Sequence, residues 1–80
     1  MELLQLKYFQ TVARLEHMTR AAEELGIAQP ALSQTIARLE EELGMPLFDR
    51  PGRNIRLNHF GRAYIQRVER FCQNSNTILA

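Results

Sequence analysis

Two glutamine side chains, Gln29 and Gln34, have the chemistry needed to contact the edge of a DNA base. A primary amide donates and accepts hydrogen bonds at once, and this pair of groups matches N6 and N7 of adenine in the major groove. Both glutamines lie on the polar side of a predicted helix, away from its apolar stripe. The alternative is an ordinary solvated position, because glutamine is a good helix former.

Other side chains of the same segment offer different contacts to DNA. Pro30 fixes the start of a helix and presents an apolar surface to a thymine methyl group. Ser33 and Arg38 are better suited to phosphates than to bases. For Arg38, an ion pair with a glutamate three or four residues further along the helix is the alternative.

Basic residues are concentrated in the last part of the chain, although the formal net charge at pH 7 is only +1. Residues 1–49 contain four basic and eight acidic side chains, a net of −4, whereas residues 50–80 contain six arginines and one glutamate, a net of +5. The planar guanidinium of arginine suits phosphates and base edges better than lysine does. This asymmetry favours a polyanionic partner, with a solvated basic face as the alternative.

Four positions outside the glutamine-bearing helix are further candidates for DNA contacts. Arg53 follows a Pro-Gly turn signal at residues 51–52, which places it at the tip of a predicted hairpin. Arg50, before the turn, contacts DNA or reaches back to an oxygen of its own domain. Thr19 and Arg20 begin a short helix, whose amino-terminal end favours phosphate, and Thr19 is also a plausible helix cap.

The residues of an enzyme or a metal site are not present in a useful arrangement. Cys72 lies in an apolar stripe with no base at helical spacing, and His17 and His59 are far apart in the sequence. No glycine-rich phosphate loop occurs. We therefore expect no catalysis, no metal and no cofactor. A single cysteine is consistent with a reducing, cytoplasmic location, and no apolar run approaches the ~18 residues of a membrane span.

Four helices and a hairpin are predicted to position these residues. Apolar spacing gives a helix from residue 3 to about 15, a short helix Arg20–Leu25 capped by Thr19, and a third from about Gln29 to Leu43. Two strands, 46–49 and 54–57, follow, and Asn58 caps a final helix that runs to the end of the chain. Two helices joined by a glycine-containing turn are typical of a helix-turn-helix, and the hairpin makes the predicted fold a mostly α winged helix-turn-helix.

The final helix carries two apolar stripes, separated by about 100°. One contains Phe60, Tyr64, Phe71 and Ile78, and the other contains Ile65, Val68, Cys72 and Leu79. One stripe is enough to pack against the rest of the domain. We expect the second stripe, Ile65 to Leu79, to lack a partner within the chain and to form a homodimer interface.

The order of many residues resembles one known family over nearly the whole chain. These positions are Leu6, Phe9, Val12, Ala13, Thr19, Ala21, Ala22, Leu25, Gln29, Pro30, Ala31, Leu32, Ser33, Ile36, Leu39, Glu40, Leu43, Gly44, Leu47, Phe48, Arg50, Arg53, Leu57 and Gly61. In this pattern the chain resembles the N-terminal DNA-binding region of the LysR-type bacterial transcriptional regulators. The resemblance implies a third helix in the major groove, a wing near the minor groove and a dimerising linker helix.

The same resemblance implies a division of the chain and of the protein. Residues 1–58 would form the winged helix-turn-helix domain and residues 59–80 the linker helix, and a C-terminal domain that binds a small-molecule effector would be absent from this chain. Three positions depart from the family pattern: Ala28 stands in place of the usual Ser, Gln34 in place of a frequent Arg, and Asn58 in place of the usual Thr. Of these, Gln34 bears on which base is contacted.

The expected function is sequence-specific binding of double-stranded DNA, as a dimer on an interrupted palindromic site, with higher oligomers in the intact protein. The alternative is a winged helix that binds an acidic protein through its basic hairpin. Salt dependence distinguishes the two, because binding to a duplex weakens log-linearly with salt concentration.

Overall fold

Three helices, a short hairpin and a long fourth helix follow one another along the chain. The computed structural model describes residues 3–50 and 55–79, and it describes side chains for residues 3–50 and 55–70. The elements are α1 (Leu3–Leu15), α2 (Met18–Leu25), α3 (Gln29–Leu43), β1 (Phe48–Asp49), β2 (Arg56–Leu57) and α4 (His59–Leu79). Their type and order confirm the predicted winged helix-turn-helix.

The start of α2 differs from the prediction. The helix begins at Met18, two residues before the predicted Arg20, and its cap is His17. The Nδ1 atom of His17 accepts a hydrogen bond from the backbone N–H of Arg20 at 3.2 Å. The predicted cap Thr19 is therefore wrong, because Thr19 lies inside the first turn and an imidazole nitrogen takes the place of the expected hydroxyl oxygen.

Glycines end α2 and α3 as predicted. Gly26 and Gly44 have φ values of 70° and 72°, in the left-handed region that costs other residues energy. The N–H of each cap bonds to carbonyl oxygens of the helix that it ends. The turn between α2 and α3 is therefore short, as a helix-turn-helix requires.

The hairpin, called the wing below, is shorter than predicted. Phe48 pairs with Leu57 and Asp49 pairs with Arg56 in an antiparallel register. The first strand begins at residue 48, because the backbone of Leu47 bonds to other elements instead (Glu40 and Asn58). Residues 51–54, which include the candidate Arg53, lie outside the described residues.

The hydrophobic core draws on the first three helices, the wing and α4. Phe9 is fully buried near its centre, with ring centroids 5.6 Å from Phe48 and 5.4 Å from Tyr64. The buried apolar residues are Leu6, Phe9, Val12, Ala13, Ala21, Ala22, Leu32, Ile36, Leu39, Leu47, Phe48, Ile55 and Val68. In the described part of the chain, no helix combines the length and apolar character needed to cross a membrane.

Candidate nucleic-acid interface

Burial of one side of α3 exposes the opposite side, which carries the candidate DNA-contacting residues. Leu32, Ile36 and Leu39 are fully buried. On the other side of the helix, Gln29, Pro30, Gln34 and Arg38 are exposed and Ser33 is partly exposed. The apolar stripe of α3 therefore anchors the helix and leaves a continuous polar surface free for a ligand.

The amino-terminal end of α3 is held without a side-chain cap. Ala28 precedes the helix in an extended conformation and makes no side-chain cap bond, as expected from its methyl group. One turn of the helix is instead bridged from its exposed side, where Gln29 Nε2 donates to Ser33 Oγ at 2.6 Å. This bond fixes the amide of Gln29 on the helix surface and brings the two predicted site residues together.

The candidate phosphate-contacting residues of α2, α3 and the wing that the structure describes are exposed or partly exposed to solvent. Arg20, Arg38 and Arg50 are exposed, as is Thr19. Among the described residues, Arg38 and Arg50 have no ion-pair partner, so the alternative pairing of Arg38 with a nearby glutamate is absent there. The ion pair found among the described residues joins Arg14 of α1 to Glu24 of α2, and because both side chains are about half exposed it contributes little to stability.

Two glutamates that accept hydrogen bonds, and an asparagine that both donates and accepts, fix the base of the wing. The backbone N–H of Leu47 donates to Glu40 Oε2 at 2.7 Å, and that of Leu57 donates to Glu16 Oε2 at 3.0 Å. Asn58 caps α4 as predicted, accepting from the N–H of Gly61 at 2.8 Å, and its Nδ2 donates to the carbonyl oxygen of Pro46. Sequence reasoning missed both glutamates, because helical spacing does not relate residue 40 to 47 or residue 16 to 57.

Both stripes of α4 supply residues to the core, where only the Phe60 to Ile78 stripe was expected to pack: Tyr64 of that stripe lies beside Phe9, as predicted. Val68 is only 3% exposed and belongs to the core, and Ile65 packs against that core. The expectation that the Ile65 to Leu79 stripe lacks a partner within the chain is therefore wrong at these two positions. The reason is that the core contacts α4 along residues of both stripes, Tyr64 on one and Ile65 and Val68 on the other. The side chains of Cys72 and Leu79 lie outside the described residues.

Phe60, from the other stripe, is exposed at the start of α4. It is 49% exposed and lines a groove of about 230 Å³ with Leu43, Met45, Ala63, Tyr64 and Arg67. Tyr64 is partly buried, and this burial raises the pKa of its hydroxyl above the ordinary 10.0, with a further increase from the negative charge of Glu42. In the described residues, no group of three His, Cys, Asp or Glu side chains has the arrangement of a metal site.

Comparison with known proteins gives a consistent set of similarities. The model of the family of bacterial regulatory helix-turn-helix proteins, lysR family, matches residues 3–62. The chain is 59% identical over 69 residues to the HTH-type transcriptional regulator YybE of Bacillus subtilis (strain 168) and 56% identical over 66 residues to the HTH-type transcriptional regulator BudR of Klebsiella aerogenes. These matches cover 86% and 82% of the chain but 24% and 46% of the relatives, so the chain spans less than half of either relative.

Solved structures of protein–DNA complexes are similar over nearly the whole chain. The BenM_DBD/benA site 1 DNA complex matches with a TM-score of 0.94 and 38% identity, covering 99% of this chain and 92% of that one. The CbnR_DBD–DNA complex matches with a TM-score of 0.90 and 35% identity, covering 96% and 88%. Both similarities include α4 as well as the three shorter helices and the wing.

Proposed function

The chain belongs to the lysR family of bacterial regulatory helix-turn-helix proteins and is a winged helix-turn-helix DNA-binding domain, and from this premise we propose that it binds double-stranded DNA sequence-specifically in a transcriptional regulator. The observation that carries the proposal is the exposed polar side of α3, held outward by a fully buried apolar stripe. The lysR family of regulatory helix-turn-helix proteins is not an enzyme family.

In this proposal α3 is the recognition helix and lies in the major groove. Gln29 and Gln34 contact base edges through their amides, and Pro30 contacts a thymine methyl group. Ser33 and Arg38 contact phosphates, which set the position of the helix on the duplex. The absence of a described ion-pair partner for Arg38 supports its availability for this role.

The wing and the start of α2 supply the remaining contacts. Arg50, exposed beside β1, and Arg53, which the sequence predicts at the tip of the wing, bind the backbone or the minor groove. Thr19 and Arg20 meet a phosphate near the amino-terminal end of α2. Exposure of Thr19 and Arg20 supports this assignment, since neither side chain is used in the core.

We infer that two copies of the chain associate through α4 and bind an interrupted palindromic site. α4 extends eleven residues beyond Val68 to Leu79, which adds about 16 Å of helix and includes the predicted interface residues Cys72 and Leu79. The exposed Phe60 offers apolar surface on the same helix. Dimeric helix-turn-helix proteins match the spacing of two half-sites with their own two-fold symmetry, so dimerisation supplies the site geometry.

The intact protein extends the proposal beyond this chain. Because the chain spans 24% of YybE, we propose that a C-terminal domain follows it, binds a small-molecule effector and adds contacts that form a higher oligomer. Within the chain, residues 1–58 act as the DNA-binding unit and residues 59–80 as the linker helix. A regulator that binds bacterial DNA acts in the cytoplasm.

Selection of duplexes from a random-sequence library tests the proposal. The chain should enrich a site with two related half-sites, and its affinity for that duplex should exceed its affinity for random DNA. The logarithm of the binding constant should fall linearly with the logarithm of salt concentration, with a slope of about −0.9 for each phosphate contacted. Failure to enrich any sequence would leave the alternative, a winged helix that binds an acidic protein.

A further inference from the structure

The peptide groups on either side of Leu47 tie the wing to two helices. The N–H of Leu47 donates to Glu40 Oε2 at 2.7 Å, in a partly buried contact. Its carbonyl oxygen accepts from the N–H of Asn58, the cap of α4, at 3.0 Å. Glu40 belongs to α3, so the residue that leads into β1 is joined directly to the recognition helix.

The second strand of the wing has a carboxylate contact of its own. The N–H of Leu57 donates to Glu16 Oε2 at 3.0 Å. Glu16 follows α1 and has a φ of 50°, the left-handed region that residues other than glycine rarely adopt. Because Phe48 pairs with Leu57, the contacts at Leu47 and Leu57 lie at the same end of the hairpin, remote from its turn.

The negative charges of Glu40 and Glu16 strengthen the hydrogen bonds that these residues accept, but they also repel DNA phosphates. A bond from a backbone N–H to a carboxylate is shorter and stronger than one to a neutral oxygen. A carboxylate in a DNA-binding domain also repels phosphates, so a glutamate that only faced solvent would weaken binding. Arg50 comes two residues after Phe48, the first residue of β1. The bond between the Leu47 N–H and Glu40 therefore also helps to fix the position of Arg50.

We propose that Glu40 and Glu16 are positioning residues of the wing, which hold its two strands against the recognition helix and α1 so that Arg50 meets the duplex at a fixed distance from Gln29. Neither glutamate contacts DNA. The inference rests on the proposed function, because it concerns how the wing is presented to a duplex.

Amide hydrogen exchange of the chain, followed by NMR, tests the contacts themselves. Glu40→Ala should speed the exchange of the Leu47 N–H by about tenfold, the factor expected for loss of one hydrogen bond to a charged acceptor. Glu40→Gln keeps an oxygen acceptor at the same position and should retain most of the protection. Glu41→Ala is the matched control, because it removes the same charge from the next, exposed position of α3.

Binding to the selected duplex tests the consequence for DNA. Glu40→Ala should weaken binding several-fold, Glu40→Gln should restore it, and Glu41→Ala should leave it unchanged or strengthen it. If Glu40→Ala does not fold, Glu16→Ala and Glu16→Gln give the same comparison at β2. These two variants share the left-handed backbone position, so their difference isolates the acceptor.

A double-mutant cycle separates positioning of the wing from general stability. Arg50→Ala should weaken binding in the unmutated chain and cost less when Glu40→Ala is already present, because the wing is then no longer held in place. Additive effects, or no effect of Arg50→Ala in the unmutated chain, would overturn the proposal. So would normal binding by both alanine variants. Failure of the unmutated chain to select any duplex would instead refute the proposed function.

Discussion

The amide of Gln29 keeps hydrogen-bonding groups available for DNA after bonding within the protein. Its Nε2 donates one hydrogen to Ser33, which leaves a second N–H and the carbonyl oxygen. These are the two groups that adenine requires. The helical periodicity of the sequence placed Gln29 on the polar side of α3, but the bond to Ser33 could not be predicted, because it depends on side-chain rotamers that spacing does not determine.

Loss of the Gln29 amide should reduce specificity more than general affinity. Gln29→Ala should cost about 1–3 kcal/mol on the selected duplex and much less on random DNA, as expected for a base-edge contact. Fluorescence anisotropy titrations on both duplexes measure the difference, with Gln66→Ala on exposed α4 as the control. Equal losses on the two duplexes would show that Gln29 positions the helix without discriminating bases.

The raised pKa of Tyr64 predicts a loss of stability in alkali. Burial, and then the charge of Glu42, keep the hydroxyl protonated in the folded chain above the ordinary 10.0. The unfolded chain therefore releases this proton first, and the free energy of unfolding falls as the pH rises above about 10. Urea unfolding between about pH 9 and 11 should show a smaller decrease for Tyr64→Phe than for the unmutated chain. Identical decreases would rule out this contribution.

Among the elements, those with a long periodic pattern were predicted most accurately. The bounds of α1 and α3 agree with the apolar spacing, because each helix buries one regular stripe. The predicted start of α2 was wrong, since a histidine cap has no strong sequence signal. The first strand is shorter than predicted because the backbone N–H of Leu47 bonds to Glu40 and not to the other strand. Of the stripes of α4, Tyr64 packs as predicted, but Ile65 and Val68 pack as well, because periodicity identifies apolar sides without showing how wide a contact the core makes.

Close packing between α4 and the wing makes Gly61 sensitive to any side chain. A Cβ atom at this position would lie 2.1 Å from the carbonyl oxygen of Leu47 and 2.7 Å from Leu57 Cδ2. The carbonyl oxygen of Leu47 is a backbone atom and already accepts a hydrogen bond from the N–H of Asn58, so it cannot easily move away. Gly61→Ala should destabilise the fold by about 1–3 kcal/mol, although alanine favours helices.

Thermal and urea unfolding measure the effect of Gly61→Ala. Arg62→Ala, at the next and exposed position of α4, is the control and should change stability by less than about 0.5 kcal/mol. A stable Gly61→Ala variant would mean that the helix shifts away from the wing at little cost.

For the molecule as a whole, α4 contributes to the core on one side, and we propose that it contributes to association with another. Val68 is part of the core, whereas Phe60 is exposed in the groove beside Met45. The sequence therefore predicted that α4 packs against the domain but did not include Ile65 and Val68 in that packing, and association through α4 stays a prediction.

Charges placed on the two sides should separate the two processes. Val68→Glu should abolish folding, because burial of an unpaired carboxylate costs several kcal/mol. Phe60→Glu should leave a folded chain that associates less, with Gln66→Glu as the control of equal charge. Circular dichroism and sedimentation velocity over a wide concentration range measure folding and association. A dimer that Phe60→Glu leaves intact would assign the interface to another surface.

The distribution of charge along α3 has a consequence for how the domain encounters DNA. The helix has no acid from Gln29 to Leu39, and Glu40, Glu41 and Glu42 follow near its carboxyl end. Glu40 lies eleven residues after Gln29, about 16 Å along the helix, which is about twice the Debye length of about 8 Å at physiological ionic strength. The carboxylates are therefore screened from phosphates at the amino-terminal end but repel them at the other. We therefore expect collisions in the wrong orientation to separate before contact, and the charges to act on the rate of productive association more than on the lifetime of the complex.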